Sequence, residues 1–273
     1  MDASRIERII SLLYISSAVL SLTSLICLVT VWQYWTSIVN FCINVDCGCI
    51  LYARSSFNSF MGGEVILCHF GVYGMIPPLI FGLCLGGYHG YRCCIHKNLD
   101  APVQVTSRNL ETDDGPAVVV RPKRRAPCKQ WTLASFLTIL LFFLSLTHAI
   151  ITTDGYYKTC EQYRKRLIQV LNSAGRETEV IHDRLSCGAM FDFMDYLQSD
   201  PDTFEYKKID TGFALRLAIV SSWLNCCAWI LAFSLNVIAA RKRFCCWTLQ
   251  IDPPEDDAGA IALASIRSRH QTE

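Results

Sequence analysis

The chain has 273 residues, of which 52% are hydrophobic and 18% are charged, and its formal net charge is +1. Its mean hydropathy of +0.28 is high for a soluble domain, and long uncharged stretches alternate with charged ones. These blocks indicate two alternating solvents, which argues against a soluble protein built around one globular core.

Four uncharged runs predict membrane-spanning helices at residues 9–35, 65–91, 130–153 and 215–240, the last with Arg216 at its outer edge. Crossing about 30 Å of hydrocarbon takes roughly 20 helical residues, and each run is long enough. The runs lack the polar face that a surface helix of a soluble protein shows at a 3.6-residue period. The first run is also too long for a cleaved signal peptide, so we expect a retained anchor. The predicted fold class is an all-α membrane protein, a four-transmembrane-helix bundle with a small disulfide-braced outer loop region.

Basic clusters predict the orientation of the spans. Residues 121–125 include four Lys or Arg directly before the third span, and Arg241 begins a cluster of three directly after the fourth. Because Lys and Arg accumulate on the cytoplasmic side, both termini are expected inside. The aqueous segments are then a cytoplasmic N-terminus at 1–8, an outer loop at 36–64, a cytoplasmic loop at 92–129, an outer loop at 154–214 and a cytoplasmic tail at 241–273. The expected location is the plasma membrane or a secretory-pathway or vesicle membrane.

This topology places six of the fifteen cysteines on the oxidising side or at its membrane edge, namely Cys42, Cys47, Cys49, Cys68, Cys160 and Cys187. An even number in that compartment predicts disulfides that brace the loops, although six cysteines allow about 15 pairings. Cys160 and Cys187 are the only two between the third and fourth spans, which favours their pairing. In the first loop, Cys49 with Cys68 would leave Cys42 with Cys47, and that connectivity stays open. The spacing of these cysteines is not typical of a zinc site, so no metal is expected.

Four cysteines lie beside basic residues at the inner ends of the second and fourth spans, namely Cys93, Cys94, Cys245 and Cys246. Juxtamembrane cysteines of this kind are candidates for reversible S-palmitoylation. Free reduced thiols are an equally open interpretation.

Small and polar residues within the spans predict helix contacts. Gly82, Gly86 and Gly90 fall four residues apart, a spacing that lets two helices approach closely. A partner helix in this chain is favoured over one in another chain. A kink is expected near Pro77, and Asn225 and Asn236 are expected to hydrogen-bond across helices.

The aqueous segments carry few structural signals. The cytoplasmic loop lacks apolar periodicity and is expected to be disordered. In the second outer loop, residues 161–172 and 191–197 predict short helices. No catalytic motif occurs, so no enzymatic activity, catalytic residue or cofactor is expected. No carboxylate lies deep in a span, which weakens a proton-coupled or cation-transporting interpretation.

The order of these elements resembles the transmembrane protein 179 family of four-span proteins. The resemblance covers roughly residues 32–240 and rests on Gly48-Cys49-Ile50-Leu51-Tyr52, Cys68, Cys160, Cys187 and Ser222-Trp223-Leu224. This chain departs from the family in its extra Cys42 and Cys47, its longer cytoplasmic loop and its tail. The family implies no activity, cofactor or catalytic residue. Synaptogyrin-like and claudin-like proteins share the topology, but the claudin-type W-x2-L-W-x2-C arrangement is missing from the first outer loop.

Together these patterns favour a non-enzymatic accessory or organising protein that binds the lipid bilayer and other membrane proteins, with no nucleic-acid partner. The alternative is a small transporter or channel component.

Overall fold

A computed structural model describes residues 3–39, 46–56, 60–94, 103–107, 117–121, 128–172, 175–197 and 209–248. In chain order the elements are α1 (Ala3–Val39), β1 (Cys49–Ser55), β2 (Phe60–Gly63), α2 (Val65–Tyr73), α3 (Ile76–Cys94), β3 (Val103–Ser107), β4 (Ala117–Arg121), α4 (Cys128–Val170), α5 (Arg176–Glu179), a π-helical turn (Val180–Arg184), α6 (Cys187–Leu197) and α7 (Thr211–Thr248). Four helical segments are long and apolar enough to cross a membrane, namely Arg5–Thr36, Val65–Cys93, Trp131–Val170 and Thr211–Arg241. Their length and composition indicate a multi-pass membrane protein.

The chain divides into two compact units, residues 1–98 with 136–233 and residues 99–135 with 234–273. In the second unit, β3 pairs antiparallel with β4, from Val103 opposite Arg121 to Ser107 opposite Ala117. This hairpin corrects the expectation that the whole cytoplasmic loop is disordered. The strands are rich in valine, whose branched side chain favours extended backbone.

Helix α4 continues well beyond the predicted third span, which was expected to end at residue 153. Its 43 residues reach roughly 65 Å, about twice the thickness of the hydrocarbon core. The separate helix predicted at 161–172 is therefore wrong, because most of those residues form the last turns of α4. Ion pairs one turn apart stabilise this extension, with Lys158 2.8 Å from Asp154 and Lys165 2.7 Å from Glu161.

The predicted second span is interrupted at Gly74 and Met75, just before the expected kink. Pro77 and the proline after it carry no amide hydrogen, so the helical hydrogen-bond ladder cannot run through them. The Met75 amide donates to the Val72 carbonyl at 3.4 Å, three residues back, and the Leu79 amide restores the regular pattern by donating to Met75 at 3.1 Å. The Gly71 carbonyl is thereby left without its usual helical donor.

The largest buried apolar cluster lies where α1, α4 and α7 meet the β1–β2 hairpin and α6. Its fully buried members include Trp35, Leu51, Phe191, Met194 and Leu215. We call the hairpin, residues 154–170 of α4, and α6 the cap. Apolar packing of this kind is what a water-facing element needs for its own stability.

Candidate functional site

One disulfide joins the cap to α2, and a second joins two parts of the cap itself. Cys49 on β1 is bonded to Cys68 on α2, and Cys160 on α4 is bonded to Cys187 at the start of α6. Cys47 is also disulfide-bonded, whereas Cys42, its expected partner, lies outside the described residues. The Cys49–Cys68 and Cys160–Cys187 bonds join residues that are 19 and 27 positions apart in sequence. They therefore restrict the conformations of the cap in the unfolded chain as well as in the folded one.

A wide bulge in β1 docks the hairpin onto α4. Cys49 pairs with Gly63 and Arg54 with Met61, so four residues of β1 lie opposite the single residue Gly62. A Cβ on Gly62 would meet the carbonyls of Cys47 and Cys49, so this position accepts only glycine. Of the motif that carries the family resemblance, residues 48–52, the last three residues therefore lie in the bulge and the first two directly precede it.

Thr159 is the residue of α4 that holds the bulge. Its hydroxyl donates to the Ile50 carbonyl at 2.7 Å and accepts from the Ala53 amide at 3.2 Å. The two strands cannot satisfy these backbone groups because the bulge takes them out of register. One fully buried side chain thus replaces the missing strand hydrogen bonds.

Tyr52 lies at the tip of the bulge with a backbone φ of 59°, a conformation that is uncommon for a non-glycine residue. Its hydroxyl donates a hydrogen bond to the Asp154 carboxylate. Burial, as the larger cause, and this hydrogen bond together raise the pKa of Tyr52 to about 12. Lys158 completes the group, because its Nζ lies 5.0 Å from the centre of the Tyr52 ring. Contacts with α4 therefore hold Tyr52 in its unusual conformation.

The cap also joins the start of α7. The Trp35 indole nitrogen donates to the Thr211 hydroxyl at 2.9 Å, and the Thr211 amide donates to Asp195 Oδ2 at 2.8 Å. Trp35 and Thr211 are fully buried, and Asp195 is half-buried in the last turns of α6. We call this contact the α6–α7 junction, since it connects both helices to the end of α1.

Asn225 is the central side chain of a second set of contacts, between the helices themselves. Its Oδ1 accepts from Ser17 on α1 at 2.6 Å, and its Nδ2 donates to Ser145 on α4 at 3.2 Å. The same nitrogen lies 3.9 Å from the Met75 sulfur, at the interruption between α2 and α3. The structure thus brings Asn225 into the interhelical contacts predicted for it, while Asn236 is buried on the same helix.

His148 extends these contacts toward the cap. Its Nε2 lies 2.7 Å from the Gly71 carbonyl, the group that the helix interruption leaves free, so Nε2 is the protonated nitrogen. Its Nδ1 lies 3.2 Å from the Ser222 hydroxyl, which in turn lies 3.0 Å from the Ser24 hydroxyl. We call Ser17, Ser24, Ser145, His148, Ser222 and Asn225 the polar seam.

The pairing of Ser222 with His148 has the composition of a nucleophile and its base, but the surroundings do not favour that chemistry. Both side chains are fully buried, and the one proton of Ser222 is shared between His148 Nδ1 at 3.2 Å and the Ala218 carbonyl of its own helix at 2.7 Å. A nucleophile needs a base that takes this proton and a site for the reacting carbonyl. The geometry instead makes the pair part of the contacts between α4 and α7.

The three predicted packing glycines all face α1. Added Cβ atoms would lie 3.0 Å from the Tyr14 carbonyl at Gly82, 2.9 Å from Ile15 at Gly86 and 3.2 Å from the Ser11 hydroxyl at Gly90. Glycines nearer the end of α3 contact residues nearer the start of α1, so the two helices are antiparallel. The partner helix of the glycine face therefore belongs to this chain.

An ion pair that was not anticipated lies at the end of this helix pair farthest from the cap. Glu7 is 8% exposed and lies 3.6 Å from Arg92, which also bonds the Tyr88 hydroxyl at 3.1 Å. Residues 1–8 were assigned to an aqueous terminus, whereas Ile6 and Glu7 pack against the protein. The charge of Arg92 accounts for the burial of a carboxylate here.

The predicted acylation sites are described only in part. Cys93 is a half-buried cysteine outside any disulfide. Cys94, Cys245 and Cys246 lie within α3 and α7, but their side chains are outside the described ones. Among the residues that the structure describes, no group of three or more His, Cys, Asp or Glu is placed to hold a metal ion.

Sequence reasoning missed Thr159, Thr211, Asp195, Ser17 and Ser145. Serine and threonine occur throughout helices, and here Thr23, Thr30 and Thr147 merely bond their own helix. The sequence carried one usable signal, the Asp210-Thr211-Gly212 run at a helix start, where Asp210 accepts from the Phe213 amide at 2.7 Å.

The chain matches no protein-family model, and neither a curated protein nor a solved structure shows significant similarity to it. The geometry of the cap and the polar seam is therefore the basis for any functional assignment.

Proposed function

We propose that this protein is a non-enzymatic membrane accessory protein that presents its cap as a rigid binding surface for another membrane protein. In this proposal the four long helices form a bundle, both termini are cytoplasmic and the cap lies on the opposite side. Membership of the transmembrane protein 179 family, suggested by the residues of the bulge, is part of the same proposal.

The observation that carries the proposal is the way the cap is immobilised. The Cys49–Cys68 disulfide and the α6–α7 junction attach it to α1, α2 and α7. The Cys160–Cys187 disulfide and the docking of the bulge by Thr159 hold the parts of the cap together. A surface that is ordered before binding loses less conformational entropy when a partner binds, which increases affinity.

The exposed face of the cap on α4 has the character of an interaction surface. Asp154, Tyr157 and Lys158 fall three and four residues apart and therefore share one face of the helix. Tyr157 is 60% exposed, and both charged side chains beside it are about half exposed. Tyrosine is enriched among the residues that contribute most to binding at interfaces.

Copurification tests the proposal. The full-length protein is isolated in mild detergent as the wild type, as Tyr157→Ala with Lys158→Ala, and as Leu140→Ala, which alters an exposed position of α4 far from the cap. Mass spectrometry should find membrane proteins that accompany the wild type and Leu140→Ala but are depleted several-fold from the double variant. Equal recovery with all three proteins, or loss with Leu140→Ala alone, would contradict binding through the cap.

A small transporter or channel component is the second candidate, and the polar seam is the observation that favours it. The helices also bury the hydroxyls of Ser21 and Thr152, which are not members of the polar seam. These two hydroxyls are fully buried and have no hydrogen-bond partner among the described residues. Buried hydroxyl rows of this kind occur along solute pathways in membrane proteins. Solute flux into proteoliposomes that is lost in Asn225→Leu but kept in Tyr157→Ala would favour this candidate over the accessory role.

A further inference from the structure

Asp195 is a carboxylate placed where burial and hydrogen bonding oppose each other. Its Oδ2 accepts from the Thr211 amide at 2.8 Å, and the Thr211 hydroxyl also donates to it. The first amides of a helix carry partial positive charge, so this position at the start of α7 favours the carboxylate. Its Oδ1, however, is buried and has no hydrogen-bond partner among the described residues. An ionised carboxylate with one unsatisfied buried oxygen is costly.

The titratable groups that face Asp195 add to this cost. They are two phenols and two carboxylates, namely Tyr34 on α1, Tyr163 on α4, Asp192 on α6 and Asp210 directly before α7. Neutral phenols do not offset a negative charge, and the two carboxylates repel it. Among the residues that the structure describes, the titratable groups that face Asp195 are therefore neutral or of the same sign.

We infer that the α6–α7 junction is stabilised by acid, so that protonation of Asp195 holds the cap more firmly in an acidic compartment than at neutral pH. A proton on the partnerless Oδ1 removes the buried charge and leaves Oδ2 able to accept both hydrogen bonds from Thr211. The response of the junction follows from its own geometry. Only its exposure to an acidic compartment rests on the proposed placement of the cap outside the cytoplasm.

The pKa of Asp195 has the direction that this inference requires. Burial is the largest cause and outweighs the hydrogen bonds from Thr211, which raises the pKa from its usual value near 3.8 to about 6. A group whose pKa is raised by folding contributes stability that is complete below its unfolded pKa. That stability is lost as the pH rises through about 6. Acidification from pH 7.5 to pH 5 should therefore lower the equilibrium constant for opening of the junction (the opening constant) roughly tenfold.

Hydrogen exchange at the start of α7 tests the inference directly. The full-length protein in detergent is exchanged at several values between pH 5 and pH 7.5, and opening constants for the amides of residues 211–215 are corrected for the pH dependence of intrinsic exchange. The wild type should open roughly tenfold less at pH 5 than at pH 7.5. Asp195→Asn, which keeps the shape of the side chain without its charge, should open equally at both values.

Asp192→Asn is the matched control, because this exposed carboxylate lies one turn earlier on α6. It should keep the pH dependence of the wild type in direction, with a midpoint slightly lower because one repelling carboxylate has lost its charge. Equal pH dependence in Asp195→Asn and the wild type, or a wild type that opens more in acid, would overturn the inference. If Asp195→Asn does not fold, the pH profiles of the opening constant in the wild type and Asp192→Asn are the test. A transition with a midpoint near pH 6 supports the inference, and a flat profile rejects it. No partner is present in this experiment, so its failure is distinct from a failure of the proposed binding function.

Discussion

The cap and the polar seam belong to the same compact unit, yet different forces hold each of them. The cap has two disulfides and a cluster of fully buried large side chains such as Leu51 and Phe191. The polar seam has serine, histidine and asparagine side chains bonded across helices at 2.6–3.2 Å. The contrast follows from the solvents that the two regions are expected to face.

In water, burying apolar surface stabilises a fold, and a small cap without a large core gains further from crosslinks. Between helices in lipid, apolar contact brings little, because lipid tails are as apolar as leucine. Close approach at glycine and hydrogen bonds across helices then carry the association. Each of the following changes affects one region and should leave the other largely intact.

The largest effect is expected from the disulfide of the cap. Replacing Cys160 and Cys187 by serine should lower the free energy of unfolding of the cap by roughly 3–4 kcal/mol, because the bond closes a long loop, with a sequence separation of 27 residues. Limited proteolysis of the detergent-solubilised protein should then show cleavage in the cap while the helices remain protected. The free cysteine Cys226, replaced by serine, is the control. Equal protease resistance in both variants would show that the bond does not order the cap.

The next effect is expected from the glycine face of α3. Leucine at Gly86 should destabilise the α1–α3 contact by about 1–3 kcal/mol, since even its Cβ would lie 3.3 Å from the Ile15 backbone nitrogen. Leucine at Gly87, whose added Cβ meets nothing within 4 Å, should be neutral or slightly stabilising. Denaturant titration in micelles measures both. A similar loss from the two substitutions would mean that α1 does not pack on this face.

A smaller effect is expected from the polar seam. Asn225→Ala should cost about 1–2 kcal/mol, because two interhelical hydrogen bonds are lost and the serines that made them stay buried. Ser16→Ala, which removes an exposed hydroxyl bonded only to its own helix at Leu13, is the control and should change little. Denaturant titration in micelles measures the free energy of unfolding of both variants. An unchanged value in Asn225→Ala would show that the polar seam does not stabilise the helices.

The smallest effect is expected where the bulge meets α4. Thr159→Val keeps the shape of the side chain but removes both hydrogen bonds to the bulge, which should cost about 1 kcal/mol. Exchange of the Ala53 amide should accelerate, because its acceptor is gone. Thr147→Val, at an exposed threonine of the same helix, should leave that amide unchanged. Unchanged exchange in Thr159→Val would contradict the docking of the bulge by this side chain.

How far the sequence predicts the structure differs between the two regions. Run length and charge predicted four helices that are long and apolar enough to span a membrane, because bilayer thickness is a strong constraint. The Cys160–Cys187 pairing was predictable because only two cysteines lie in that loop. The glycine spacing indicated a packing face but not its partner, which only the fold could supply.

Contacts made by common residues could not be predicted. Thr159 bonds a backbone that a bulge has left unpaired, and no propensity signals such a bulge in the sequence. Asp195 acquires its character from burial where α6 meets α1, α4 and the start of α7. The extension of α4 was not predicted, because the change from apolar to charged residues marks the end of a membrane span and not the end of a helix. Charged side chains also suit a solvated helix.

Site-specific photocrosslinking in cells tests the central claim, that the cap binds another membrane protein, most directly. A photoreactive amino acid is placed at Tyr157 in the cap or at Leu140, two positions of α4 with similar exposure, 60% and 65%. The account predicts a protein adduct of discrete mass from position 157 and mainly lipid adducts from position 140. Discrete protein adducts from position 140 with none from position 157 would contradict it.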